Sequence, residues 1–111
     1  MVSHNIVACM DAENPASLSP AVHRILREEI GFSGVVITDD LDMNAIRDFC
    51  GTEEAAVLAV EAGNDLICPP SFSAAKSAIA EAIRSGRIPE TSVNDSILRI
   101  LIWKENLSLI K

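Results

Sequence analysis

At 111 residues and 11.9 kDa, with 49% hydrophobic and 23% charged residues, the chain has the composition of one folded domain and not of a disordered segment. A folded chain of that mass exposes roughly 6,000 Å² against roughly 17,000 Å² when extended, so a core can form. Sixteen acidic residues against nine basic ones give a net charge of -7, which repels phosphate backbones and sets nucleic acid aside as a partner. No apolar run reaches the ~18 residues that cross a bilayer, so no membrane partner is expected, and with no leader pattern the expected compartment is the cytoplasm. Cys9, Cys50 and Cys68 are odd in number and form no CxxC pair, which suggests reduced thiols and neither a disulfide framework nor a zinc site.

In chain order, Met1-Val2-Ser3-His4 reads as the end of a strand and suggests a chain whose earlier part is missing. A polar, proline-bearing stretch from Asp11 to Ser17 follows, and Ser19-Pro20 supplies a helix start. Val22, Ile25, Leu26 and Ile30 then share one helical face up to Gly31. Gly34-Val35-Val36-Ile37-Thr38 lacks polar alternation and predicts a parallel strand buried on both faces, ending in Asp39-Asp40. After a loop from Leu41 to Gly51, Thr52 caps a predicted helix to about Ala62, with Glu53 and Glu54 in its first turn. Asp65-Leu66-Ile67-Cys68 repeats the strand pattern before Pro69-Pro70. Helices are predicted over Ala74 to Ser85 and from about Val93 to Leu107. The second of these has Ser92 as cap, facing Asp95 as in a capping box, and Ile97, Leu98, Leu101 and Ile102 pointing inward.

This order of strand, helix, strand, helix, strand, helix, helix predicts an α/β fold with about three parallel strands and flanking helices. A complete (β/α)8 TIM barrel takes about 250 residues, so 111 would supply less than half of one, and a partial barrel is the expected architecture.

The densest chemistry is Asp39, Asp40 and Asp42 at the carboxyl end of the second predicted strand, the end where parallel α/β folds place their sites. Crowded carboxylates repel and lose hydration, so they need a partner, a metal or a use. Three chemistries fit: a nucleophile attacking an anomeric carbon, a Mg²⁺-dependent phosphoryl acceptor built on Asp40 and Asp42, or a ligand that performs no reaction. The plainer alternative is a pair of solvated loop residues, Asp40 and Asp42, with one aspartate turning the backbone.

The residues Pro15-Ala16-Ser17-Leu18-Ser19-Pro20 and Leu26-Arg27-Glu28-Glu29-Ile30-Gly31-Phe32-Ser33-Gly34-Val35-Val36-Ile37-Thr38-Asp39-Asp40-Leu41-Asp42-Met43 resemble the family 3 glycoside hydrolases of the β-N-acetylhexosaminidase type. The resemblance continues through Glu54-Ala55-Ala56-Val57, Ala62-Gly63-Asn64-Asp65 and Ser96-Ile97-Leu98-Arg99-Ile100-Leu101. It implies that residues 1–111 are a C-terminal fragment of the family's barrel domain. It also implies a retaining hydrolase, without a cofactor or metal, that removes β-linked N-acetylglucosamine, often from peptidoglycan fragments, through a covalent intermediate.

By the same resemblance the nucleophile is Asp39, after the threonine of an [ST]-D motif, with Asp40 the weaker candidate, and His4 and Met43 line the sugar site. A nucleophile of this kind must stay ionised and be held by a rigid strand. The family's Asp-His acid/base pair and Lys-His motif lie upstream of these residues, so the isolated chain is expected to be weakly active or inactive. The partners implied are an N-acetylglucosamine-containing saccharide and either the missing N-terminal barrel part or a second copy in a homo-oligomer. Two other readings stand beside this one: a non-enzymatic, self-associating remnant, and phosphotransfer at Asp40 and Asp42. His23 reads as a surface or packing histidine and Trp103 as a packing residue. Cys9 or Cys50 would be reactive only beside a cation such as Arg47.

Overall fold

Two short parallel strands and the helices around them make up the computed structural model, which describes residues 1–111. Strand β1 runs Ile37–Asp40 and β2 runs Leu66–Cys68, and they form a two-stranded parallel sheet. The third expected strand is reduced to one residue. Val2 bridges to Thr38 in parallel, its N–H donating to the Ile37 carbonyl at 2.8 Å and its carbonyl accepting from Asp39 N–H at 2.9 Å. The chain then leaves the ladder, because the carbonyls of Ser3 and Asn5 turn to the amides of Ser17 and Ala16.

A 3-10 turn at Ala16–Leu18 precedes helix α1, Pro20–Arg24, which Ser19 caps by accepting from Val22 N–H at 3.1 Å. The helix widens into a π-turn over Ile25–Glu29, so that Ile30 N–H reaches back to the Ile25 carbonyl. The Arg27 guanidinium fastens the exit by donating to the carbonyls of Phe32 and Gly34. The expected loop after β1 contains a short helix α2, Asn44–Arg47, and α3 follows at Thr52–Ala62 with Gly51, not Thr52, at its N-cap. Gly63 ends α3 at φ +117°, a backbone conformation that favours glycine, and a Cβ there would press on the His23 Cβ at 3.2 Å. Helix α4, Phe72–Arg84, starts two residues earlier than expected, on a Ser71 cap.

Helix α5, Glu90–Asn106, departs furthest from expectation. It begins after Pro89, and Ser92 donates its hydroxyl to the Pro89 carbonyl within the first turn and does not cap the helix. None of its residues is buried. Ile97, Leu98, Leu101 and Ile102, expected inward, are 46–57% exposed, and Trp103, expected to pack, is 45% exposed. Periodicity says which residues share a face, but this chain supplies no element to cover that face.

The core instead surrounds α3, whose buried alanines let it lie close to its neighbours: Leu18, Leu41, Ile46, Ala55 and Ala59 form one cluster and Val57, Ala82 and Ile88 a second. Asp65, just before β2, is the polar counterpart of this core. Its carboxylate is wholly enclosed and accepts from Arg27, the Val36 amide, the Ser96 hydroxyl and Arg99, tying β2 to the π-turn, β1 and α5.

Candidate active site at the end of β1

Strand register shapes the site. Ile37 pairs with Leu66 and Asp40 with Cys68, so β1 spends one more residue than β2 over the same stretch. Such a bulge turns side chains out of strict alternation, and it falls on Thr38 and Asp39. Thr38 is buried at 1% exposure, and its hydroxyl oxygen accepts from the Cys68 amide at 3.1 Å. Asp39 is half-buried. Its Oδ1 accepts from Asp40 N–H at 2.8 Å, and its Oδ2 makes no hydrogen bond within the chain. One carboxylate oxygen is thus held and the other is presented.

His4 sits beneath this strand end, buried at 7% exposure. Its Nε2 lies 2.7 Å from the Asp40 carbonyl and its Nδ1 2.7 Å from the Ser17 hydroxyl. A carbonyl only accepts, so Nε2 carries the proton, and in the neutral ring Nδ1 accepts from Ser17. Both nitrogens are engaged within the chain, and a sugar would meet His4 only by displacing one of those bonds. Ser17 is fixed in turn by its carbonyl, which accepts from the Asn64 side-chain amide at 2.7 Å. Sequence reading gave Ser17 and Thr38 no role. Both residues lie inside the family-like motifs, but the Ser17–His4 contact spans 13 residues without any local pattern.

The remaining candidates follow Asp39 along the chain. Asp40 is exposed and its Oδ1 accepts from Asp42 N–H at 2.9 Å, while the Asp42 carboxylate faces Arg47 at 3.3 Å. The Asp42 carboxylate therefore already has a cationic partner in Arg47, and no three His, Cys, Asp or Glu side chains converge on a common point. Met43, 45% exposed, is the N-cap residue of α2.

Asp39 lines none of the larger clefts. One, of about 510 Å³, lies between α1, α3 and α5 and includes Arg24, Arg27, Arg87 and Arg99; an apolar one of about 470 Å³ lies between β2, α4 and α5. His23 is buried at 3% exposure, which removes the surface half of its expectation, and its Nδ1–H donates to the Ser19 carbonyl at 2.8 Å. The Cys50 thiol is pushed up by burial and then by Glu54, so Arg47 does not activate it.

Comparison with known proteins adds the lineage. The family model described as the glycosyl hydrolase family 3 N terminal domain matches residues 1–102. The beta-hexosaminidase LpqI of Mycobacterium tuberculosis is 34% identical over 113 residues, covering 94% of this chain and 29% of that protein. A solved glycoside hydrolase family 3 beta-N-acetylglucosaminidase from Paenibacillus sp. str. FPU-7 superposes with a TM-score of 0.80 at 46% identity, over 84% of this chain and 19% of that one. The chain therefore spans less than a third of the length of these two proteins. The matching model is that of an N-terminal domain, so the C-terminal placement expected from sequence concerns a position inside that domain and not the C-terminal part of such enzymes.

The cytoplasmic expectation is corrected. An uncharacterized secreted glycosyl hydrolase of Arthroderma benhamiae is 29% identical over 97% of this chain and 32% of its own length, and points away from that compartment.

Proposed function

As the chain belongs to glycosyl hydrolase family 3, we propose that Asp39 is the nucleophile of a retaining glycosidase acting on N-acetylglucosamine-containing saccharides. We propose also that residues 1–111 form the closing part of a (β/α)8 barrel whose other strands carry the proton donor. The observation that carries this reading is the Asp39 carboxylate itself: half-buried at the bulged carboxyl end of a parallel strand, with Oδ1 tied to the Asp40 amide and Oδ2 free.

In this reading Oδ2 attacks the anomeric carbon, the bond to the leaving oxygen breaks, and that oxygen takes a proton from an acid about 5 Å from the nucleophile. Water then cleaves the glycosyl ester, the same acid, now a base, taking up its proton. Within the chain the nearest carboxylates in sequence are Asp40 at the end of β1 and Asp42 in the turn after it, engaged with an amide and with Arg47 respectively, so neither is placed to be that acid. His4 fixes the strand end from below, and Met43 offers an apolar edge to the sugar.

Leaving groups of different basicity test this. A dinitrophenyl N-acetyl-β-glucosaminide departs without a proton, whereas a mononitrophenyl one benefits from an acid, whose help is worth about 10²- to 10⁴-fold. We expect slow release from the first, much less from the second, and none from Asp39→Asn. Release that survives Asp39→Asn overturns the nucleophile; fast turnover of both substrates, abolished by Asp39→Asn, overturns the partial-barrel placement.

A further inference from the structure

The geometry points to Thr38 as a positioning residue: its hydroxyl clasps the bulge in β1 against β2 and so sets the direction in which Asp39 leaves the strand. The functional consequence rests on the nucleophile reading above, but the clasp itself is a matter of structure.

Three observations converge on it. The extra residue of β1 lies between the pairs Ile37–Leu66 and Asp40–Cys68, and Thr38 and Asp39 are the two residues between them. A bulge loosens the ladder where it occurs, and a side-chain acceptor can restore the lost hold. Here the Thr38 hydroxyl oxygen, buried at 1% exposure, takes the Cys68 amide at 3.1 Å.

The backbone on either side is pinned independently. Asp39 N–H donates to the Val2 carbonyl at 2.9 Å, Leu41 N–H to the Cys68 carbonyl at 2.9 Å, and the Asp40 carbonyl is held by His4 at 2.7 Å. With both flanks fixed, the hydroxyl decides how far β1 bows away from β2 at Thr38. The next peptide carries the readout: Asp40 N–H donates to Asp39 Oδ1 at 2.8 Å, a bond expected to loosen when the bow changes shape. Valine matches threonine in shape but has no acceptor, and serine keeps the acceptor without the methyl group. A purely space-filling role would therefore favour valine, and a clasp favours serine.

The test uses amide NMR on the 111-residue chain and its Thr38→Val and Thr38→Ser variants. In the parent chain we expect the Cys68 amide to be protected from exchange, and the Asp40 amide shift to follow the ionisation of the Asp39 carboxylate. Thr38→Val should raise Cys68 exchange at least about tenfold and remove the Asp40 response, while α3 amides stay protected. Thr38→Ser should retain both signals. A Thr38→Val chain that keeps Cys68 protection and the Asp40 response overturns the clasp, as does a parent chain whose Cys68 amide exchanges freely; the latter needs no variant to fold. The dinitrophenyl assay on Asp39→Asn judges the nucleophile separately, so a failed nucleophile leaves the clasp readable, and a failed clasp leaves the nucleophile.

Discussion

At His4 the ring is worth more to the protein than a packing surface. Its two nitrogens satisfy the Asp40 carbonyl and the Ser17 hydroxyl at 2.7 Å each, so removing it strands two partly or wholly buried polar groups. His4→Leu should cost about 1–3 kcal/mol in a urea unfolding experiment. His4→Gln, which can still donate and accept, should recover part of that loss, and equal stability of the two variants would reduce His4 to a space-filling residue. Asp11 offers a second test, in pH. Donation from the Ser19 hydroxyl first, then from the Asn14 side chain and the Glu13 and Asn14 amides, holds its carboxyl well below the usual carboxylate range. A carboxyl whose folded pKa is depressed contributes stability that is fully present above its unfolded pKa of about 3.9 and is lost as pH falls below it. Asp11→Asn should therefore lower the urea midpoint at about pH 6 and lose less than the parent chain does between about pH 4 and pH 2. Parallel pH profiles for the two chains would remove Asp11 from the linkage.

Among the elements, α3 and α5 are opposites. Helix α3 buries five residues, whereas α5 buries none and is anchored largely through Ser96 and Arg99 on the Asp65 carboxylate. Asp65→Ala leaves Arg27 and Arg99 without their shared partner, and breaking a buried pair of this kind costs about 3 kcal/mol, tempered here because both arginines keep partial access to water. Hydrogen exchange should then show α5 amides losing protection before those of α3, and uniform loss across both helices would contradict the anchoring role. The same contrast explains what could be read beforehand. The β-branched run Val35–Thr38 marked β1, the Ser19-Pro20 pair marked α1, and a contiguous motif singled out Asp39 as the candidate nucleophile. The α5 face, the single-residue bridge at Val2 and the His4–Ser17 contact were not legible, since each depends on what lies opposite in space.

Over the whole molecule, the accessible surface is 6781 Å², above the roughly 6,000 Å² expected for a folded chain of this mass. The excess has an apolar share: Ile97, Leu98, Leu101, Ile102 and Trp103 along α5 and Leu107 at its C-cap are all at least 45% exposed, and a second apolar groove runs beside Val22, Leu26, Ile30 and Val35. Burying such surface is favourable by about 25 cal/mol per Å², which drives association. The net charge of -7 opposes it, because two copies repel. Salt shortens the range of that repulsion to about 10 Å at 0.1 M and leaves the apolar attraction in place. Sedimentation should therefore give a mean mass that rises above 11.9 kDa with protein concentration and rises further with salt. Replacing Leu98 and Leu101 by glutamate should return the chain toward the monomer, because each change puts a charge on the exposed stripe without removing a buried contact. A single species of 11.9 kDa at every salt and concentration would mean that the α5 stripe is covered within the monomer in solution, and would remove the physical case for a barrel left open at its edges.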